Sequence, residues 1–233
     1  KLDTIKFVVT GAEKLPERLA EAFESKFQKK VMEGYGLTET SPVTNVNIPN
    51  VAAQDKSGLI KSERFGSVGQ FLPGIAVKIT EPNDDSPLPI DSSGMIWLRG
   101  PNIFKEYLNL ASQTKEVIKD GWFRTGDIGR VDEDGFLYIE GRLSRFSKIA
   151  GEMVPHETVE SHINKALGYD SEDEKKIAVI GIPDEAKGEA LILLSTEEMS
   201  DESMKSLRQK LLDAGVAALW IPKKINKVDS IPS

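Results

Sequence analysis

The spacing of apolar residues changes twice along this chain, and each change marks a different kind of layer. Ile5 to Thr10 is a short β-branched run closed by Gly11. From Pro16 to about Lys29 the apolar positions Leu19, Ala20, Phe23 and Phe27 recur at helical spacing. Val31 and Met32 then begin a second strand that runs into a Gly34–Thr40 loop. The opening therefore reads as strand, helix, strand over residues 1–50. In a parallel α/β layer the carboxyl ends of the strands are where ligands sit.

Between residues 66 and 143 the texture is different. Short apolar runs at Val77–Ile79, Met95–Leu98, Gly126–Val131 and Phe136–Ile139 alternate with Gly, Pro, Asp and Asn clusters. This pattern predicts an antiparallel β subdomain, a distorted barrel. Asp132-Glu133-Asp134-Gly135 is its clearest hairpin turn, and Asn83–Asp91 reads as a surface loop.

After Gly141 the pattern changes again. Arg142–Val154 carries few helix signals. Pro155 suits the first turn of a helix bearing Val159, Ile163 and Leu167 on one face. Strands at Ile177–Ile182 and Ala190–Ser195, a helix over Asp201–Ala214 and a last strand near Lys224–Val228 follow. The expected organisation is a mixed α/β and β piece over 1–143, then a small α+β domain over 144–233 with its boundary near Ser144.

Composition narrows the functional classes. The 233 residues are 39% hydrophobic and 29% charged, an ordinary globular balance that can bury a core without staples. With no cysteine there is no thiolate nucleophile, disulfide or thiolate metal site. A net charge of -7 speaks against a nucleic-acid partner. No apolar run approaches the roughly 20 residues of a membrane helix.

Three segments could carry chemistry. In Gly34-Tyr35-Gly36-Leu37-Thr38-Glu39-Thr40, two glycines beside a strand end let backbone amides approach an anion. Thr38 and Thr40 offer hydroxyls to phosphate, and Glu39 offers a hard oxygen to Mg²⁺. The alternative is a Gly-rich turn with a capping threonine. In Thr125-Gly126-Asp127, a carboxylate at a tight turn could accept ribose hydroxyls, or could bond only its own turn. In the segment from Gly141 to Glu152, Arg142 and Lys148 are cations flanked by glycines. They could hold a polyanion at a domain junction or belong to a solvated basic hairpin. His156 and His162, six apart with no third ligand in view, are expected on the surface and not at a metal. Trp97, Trp122 and Trp220 are expected to pack.

The order of these segments resembles the adenylate-forming superfamily of acyl-CoA synthetases, firefly-type luciferases and peptide-synthetase adenylation domains. The series is Gly11-Ala12-Glu13, then Tyr-Gly-Leu-Thr-Glu, then Gly-Trp-Phe-Arg-Thr-Gly-Asp, then Gly-Arg followed by Lys and Gly. Within it, Gly141–Glu160 looks similar to acyl-acyl-carrier-protein synthetases, often the ligase half of a bifunctional 2-acylglycerophosphoethanolamine acyltransferase. The resemblance implies an ATP- and Mg²⁺-dependent ligase. A fatty acid would become an acyl-adenylate, and its acyl group would pass to the phosphopantetheine thiol of acyl carrier protein or CoA. For the bifunctional relatives it implies a lysophospholipid substrate and a cytoplasmic location at the inner face of a bacterial membrane. By position, Gly11, Ala12 and Glu13 would line adenine, with Tyr35 packed nearby and Gly34 and Gly36 bordering acyl group and nucleotide. Thr38 would hold phosphate, Glu39 Mg²⁺, and Asp127 and Arg142 the ribose. Lys148 would approach the adenylate in the second half-reaction, Ser144 would be the hinge and Gly151 would line the thiol tunnel. Ser144 and Arg145 depart from frequent family residues at the hinge. A phosphate loop before Lys1 and a first-step lysine beyond Ser233 are also expected, so that this stretch would be the C-terminal part of the enzyme. A long-chain acyl-CoA synthetase and a non-catalytic nucleotide-binding module remain as alternatives.

Overall fold

The computed structural model describes residues 4–52, 59–169 and 175–231. The chain divides into two compact units, residues 1–140 and 141–233. The division falls three residues before the expected boundary and lies within a strand.

The first unit opens with β1 (Val8–Thr10), α1 (Glu17–Phe27) and β2 (Val31–Tyr35). The two strands pair in parallel, Val8 opposite Val31 and Thr10 opposite Glu33. Pro16 caps α1 in an extended conformation, its fixed φ suiting a helix start. Gln28, at a left-handed φ of 54°, ends the helix by sending its amide back to the Glu24 carbonyl. The apolar stripe is present, with the Phe23 and Phe27 rings 4.7 Å apart, but no α1 residue is buried within this unit. Then follow β3 (Asn45–Val46), the hairpin β4 (Val51–Ala52) and β5 (Leu59–Ile60), and β6 (Gln70–Phe71). They complete a four-stranded sheet in the order β1-β2-β3-β6, with β4 and β5 paired separately. Strands of two residues leave no period to read, which is why the sequence did not announce them.

The predicted β subdomain is a five-stranded antiparallel sheet. It comprises β7 (Ala76–Thr80), β8 (Gly94–Arg99), β9 (Ile118–Lys119), β10 (Trp122–Val131) and β11 (Leu137–Arg142). The order is β11-β10-β8-β7, with β9 on β10. β8 is central, and Met95, Ile96, Trp97 and Leu98 are all buried, so both of its faces are covered. That burial explains a continuous apolar run in place of alternation. A short helix, α2 (Ala111–Val117), interrupts the strands without a marked apolar face, and the sequence reading missed it. The Asp132–Gly135 turn closes as expected, Gly135 standing at φ 80° and donating its amide to the Asp132 carbonyl.

The second unit contains β12 (Phe146–Ile149), β13 (Glu152–Pro155), α3 (His156–Leu167), β14 (Ile177–Asp184), β15 (Gly188–Ser195), α4 (Asp201–Asp213) and β16 (Lys224–Lys227). Its sheet runs β13-β12-β15-β14, with β16 parallel to β15. Val159 and Ile163 of α3 and Leu207 and Leu211 of α4 share one core with Val179, Leu191 and Leu193. The stretch that showed few helix signals is the β12–β13 hairpin. Its turn residues Ala150 and Gly151 both have positive φ, 51° and 90°. Two left-handed residues in succession are what a two-residue hairpin matched to strand twist demands. Pro155 is the residue before α3, extended at φ -76° and ψ 121°, and not in its first turn.

Candidate functional site

The Gly34–Thr40 segment is half strand and half turn. Gly34 and Tyr35 are the last residues of β2, and Thr38–Thr40 form a single 3-10 turn. Between them Gly36 runs against Pro42, where a Cβ would stand 1.7 Å from the Pro42 carbonyl oxygen. A side chain there is sterically excluded, so the chain can pass only with glycine. The two threonines separate. Thr40 is buried, its hydroxyl accepting the Leu37 amide at 2.8 Å and lying 3.0 Å from the Pro42 carbonyl. It holds the turn and is not offered to phosphate. Thr38 is exposed and remains a candidate for an anion.

Asp127 lies inside β10 and not at a tight turn. Gly126 beside it has φ +79°, and the β10–β8 register slips between Arg124 and Ile128. A bulge of this kind re-aims a side chain out of the ladder. Thr125 secures it: its hydroxyl accepts the Asp127 amide at 3.0 Å and donates to the Ile96 carbonyl at 2.9 Å. Asp127 is buried, and the Tyr35 hydroxyl donates to its Oδ2 at 2.5 Å. Residues 92 positions apart in sequence thus meet where β2 ends.

Glu39 is held from a segment the sequence reading passed over. The Tyr107 hydroxyl donates to Glu39 Oε1 at 2.6 Å, and the Phe104 amide donates to the Glu39 carbonyl at 2.8 Å. The Asn102 side-chain amide donates to the carbonyls of Thr40 at 2.7 Å and Val43 at 3.0 Å. Phe104 packs on Tyr107 and edge-on to Phe123, with ring centroids 4.7 and 5.4 Å apart. Burial, then the bond to the Glu39 carboxylate, pushes the Tyr107 phenol up to about 12. The available signal was a Gly100-Pro101 turn followed by two aromatics three residues apart in a loop.

The Gly11–Glu13 turn is exposed and lies at the end of β1, beside β2. A Cβ on Gly11 would stand 3.1 Å from the Gly34 carbonyl oxygen, and the Leu15 amide donates to Glu33 Oε1 at 3.2 Å. Ala12 occupies a left-handed φ of 74°, which a Cβ disfavours. Such outliers gather at ligand sites.

The remaining candidates belong to the second unit. Arg142 ends β11 at the surface, and Ser144 is exposed in the 3-10 turn Leu143–Arg145 that follows. Lys148 is exposed on β12, its backbone amide donating to Glu189 Oε2 at 2.5 Å. Gly151 sits in the hairpin turn two residues after Ile149. Arg145 reaches into the fold, where its guanidinium meets the buried Glu160 at 2.6 Å.

His156 corrects the surface expectation. It is buried, with Nε2 2.9 Å from the Ser147 hydroxyl and Nδ1 without a hydrogen-bond partner among the described residues. Burial, then the nearby Arg145 guanidinium, lowers its pKa to about 4. It opens α3 against β12, outside the Val159, Ile163 and Leu167 face that the spacing marks. His162 is partly exposed on the helix surface, its Nδ1 2.7 Å from the Thr158 carbonyl. Among the described residues no group of three His, Cys, Asp or Glu could hold a metal. Trp97 packs in the core, its indole donating to Thr80 at 2.9 Å with the Lys78 ammonium 4.7 Å from its ring.

The donor set decides what the first unit can hold. One carboxylate oriented by a phenol suits a divalent cation whose remaining ligands are phosphate oxygens and water, as Mg²⁺ prefers. It does not suit a cation caged by protein alone. A buried carboxylate fixed by a hydroxyl and a bulge suits a neutral ligand with adjacent hydroxyls.

Known proteins resemble this chain in sequence and in fold. Residues 1–108 match the AMP-binding enzyme family. 4-Coumarate–CoA ligase 3 of Oryza sativa subsp. japonica is 34% identical over 99% of the chain and 40% of its own length. The long-chain-fatty-acid–CoA ligase of Yersinia pestis is 33% identical over 98% of the chain and 38% of its own length. ATP-bound MatB from Rhodopseudomonas palustris superposes with a TM-score of 0.71 at 29% identity, covering 97% of this chain and 42% of that one. The chain thus spans about 40% of the length of these relatives. The matched residues, the relatives and the shared fold identify the chain as belonging to the AMP-binding enzyme family of acyl-CoA ligase-like, adenylate-forming proteins.

Proposed function

We propose that the chain forms part of an ATP-dependent ligase that activates a fatty acid as its adenylate and passes the acyl group to a phosphopantetheine thiol. The observation that carries this reading is the convergence at the end of β2. Tyr35 ties Asp127 to one end of the loop, and Tyr107 ties Glu39 to the other, four residues on. Adenylate formation gathers negative charge at the α-phosphate, so the site needs a held cation and fixed donors. Mg²⁺, when bound, neutralises that charge. Glu39 holds the cation, Thr38 donates to a phosphate oxygen, and Asp127 accepts the ribose hydroxyls and fixes the nucleotide. By the resemblance Arg142 is assigned the ribose hydroxyls, Lys148 the adenylate in the second half-reaction, and Gly151 the border of the thiol's route. These roles follow the superfamily resemblance position by position.

Two acceptors compete. The Gly141–Glu160 segment favours acyl carrier protein, and with it the reacylation of a lysophospholipid. The names of the relatives favour free CoA. Thioester formation from hexadecanoate and ATP, measured with the whole protein on CoA and on holo-acyl carrier protein, separates them. A preference for the carrier protein of tenfold or more in kcat/KM, about 1.4 kcal/mol, supports the first; the reverse preference establishes the second. No thioester on either acceptor overturns the ligase reading.

A further inference from the structure

Tyr107 stands outside every role assigned above, yet it makes the closest side-chain contact to the carboxylate on which the cation depends. Its hydroxyl donates to Glu39 Oε1 at 2.6 Å, and the other oxygen, Oε2, makes no hydrogen bond among the described residues. The carboxylate is therefore divided, with one oxygen committed to a neutral donor and one left for a ligand. The backbone fixes the same geometry. Phe104 holds the Glu39 carbonyl, and Asn102 holds those of Thr40 and Val43, so the turn cannot swing without releasing the 102–107 segment. The Tyr107 amide is itself held by the Thr114 hydroxyl at 3.0 Å, and Phe104 wedges its ring against Phe123 of β10.

Resting on the ligase reading, we propose that Tyr107 is a positioning residue for Glu39. It occupies Oε1 and presents Oε2 alone, so that a divalent cation carrying the nucleotide's phosphates is met by a single carboxylate oxygen. The chemistry favours this division. Mg²⁺ demands near-octahedral geometry with its other positions filled by phosphate and water. A chelating carboxylate takes two adjacent positions at an acute angle, and an outer hydrogen bond that blocks one oxygen prevents it. The arrangement also ties cation binding to the 102–107 loop through four hydrogen bonds to the Thr38–Thr40 turn and its flank.

The test compares Tyr107→Phe, which removes one oxygen atom, with Glu39→Gln in the whole protein. Mn²⁺ affinity is read by electron paramagnetic resonance in the presence of a non-hydrolysable ATP analogue. Tyr107→Phe is expected to weaken Mn²⁺ binding roughly tenfold, as the loss of an outer-shell partner does, and to leave binding of the metal-free analogue within about twofold. Glu39→Gln is expected to weaken the metal further. Unchanged Mn²⁺ affinity in Tyr107→Phe, with loss in Glu39→Gln, overturns the role of Tyr107 and leaves the ligase reading standing. Unchanged affinity in both variants removes Glu39 from the metal site and with it the reading beneath the proposal. A measurement on the unmodified protein keeps the proposal falsifiable if Tyr107→Phe fails to fold. The infrared difference spectrum of Mg²⁺ binding in the presence of the analogue should show the splitting between the antisymmetric and symmetric stretches of the Glu39 carboxylate widened, as coordination through one oxygen does. A narrowed splitting on metal binding would show that the cation takes both oxygens, against the proposal.

Discussion

Asp127 is the residue whose surroundings say most about its task. Burial of a carboxylate costs free energy unless its oxygens are met. Here Tyr35 meets Oδ2, while Gly126 and Thr125 hold the backbone bulge that places the side chain. Asp127→Asn keeps the shape and replaces a charged acceptor by a neutral one. In the whole protein it should weaken ATP binding by about 1–3 kcal/mol, read by calorimetry, while the unfolding midpoint moves little. Equal ATP affinity in both forms would remove Asp127 from the nucleotide site. His156 is the opposite case, a polar group whose burial serves packing. Its folded pKa of about 4 lies below the ordinary 6.5, so between these values the unfolded chain binds a proton that the folded chain does not. Stability from this group is therefore full above pH 6.5 and is lost as the pH falls through the window. Between pH 6.5 and 5, above the ordinary carboxylate range, the loss should be about 1.5 kcal/mol, measured by urea unfolding of the second unit. His156→Gln should flatten that step; an identical pH slope in the variant would contradict the assignment.

At the level of elements, what could be read from the chain depended on length and period. α1, α3 and α4 were legible because each repeats its apolar face over at least three turns. β8 was legible as a buried run, and the Asp132–Gly135 turn through its residues. The two-residue strands β3 to β6 and the capless α2 were not, since nothing in so few residues fixes a period. The same limit explains the site. Glu39 and Asp127 stood out by their company of glycines, whereas Tyr107 and Asn102 act through contacts that only the folded loop creates. The β12–β13 hairpin stood only as the alternative reading of the Gly141–Glu152 segment, because its turn is Ala150-Gly151 in place of the usual Asn-Gly or Gly-Gly pair. Ala150 therefore carries a left-handed strain that glycine would not. Ala150→Gly should raise the stability of the second unit by about 0.5–1 kcal/mol, the relief of strain exceeding the entropy lost by glycine. A lowered urea midpoint would show that the Ala150 side chain contributes more than its backbone costs.

On the scale of the whole molecule, the candidate residues fall into two groups that follow the two units. Glu39, Tyr107, Tyr35 and Asp127 belong to residues 1–140, and Arg142, Lys148 and Gly151 to residues 141–233. On the proposed function the first group serves nucleotide and cation, and Lys148 and Gly151 of the second serve the transfer to thiol. Lys148→Ala should then slow thioester formation at least tenfold more than adenylate formation, each followed in single turnover. Equal slowing of both steps would dissolve the division of labour. The most direct measurement on the central proposal is acid-dependent exchange of radiolabelled pyrophosphate into ATP by the whole protein, compared with Glu39→Gln and Asp127→Asn. Exchange that requires a fatty acid and Mg²⁺, and falls on the order of 100-fold in Glu39→Gln with a raised KM for ATP in Asp127→Asn, is the expected result. Exchange that is absent with every fatty acid offered, or that both variants sustain at the unmodified rate, would contradict it.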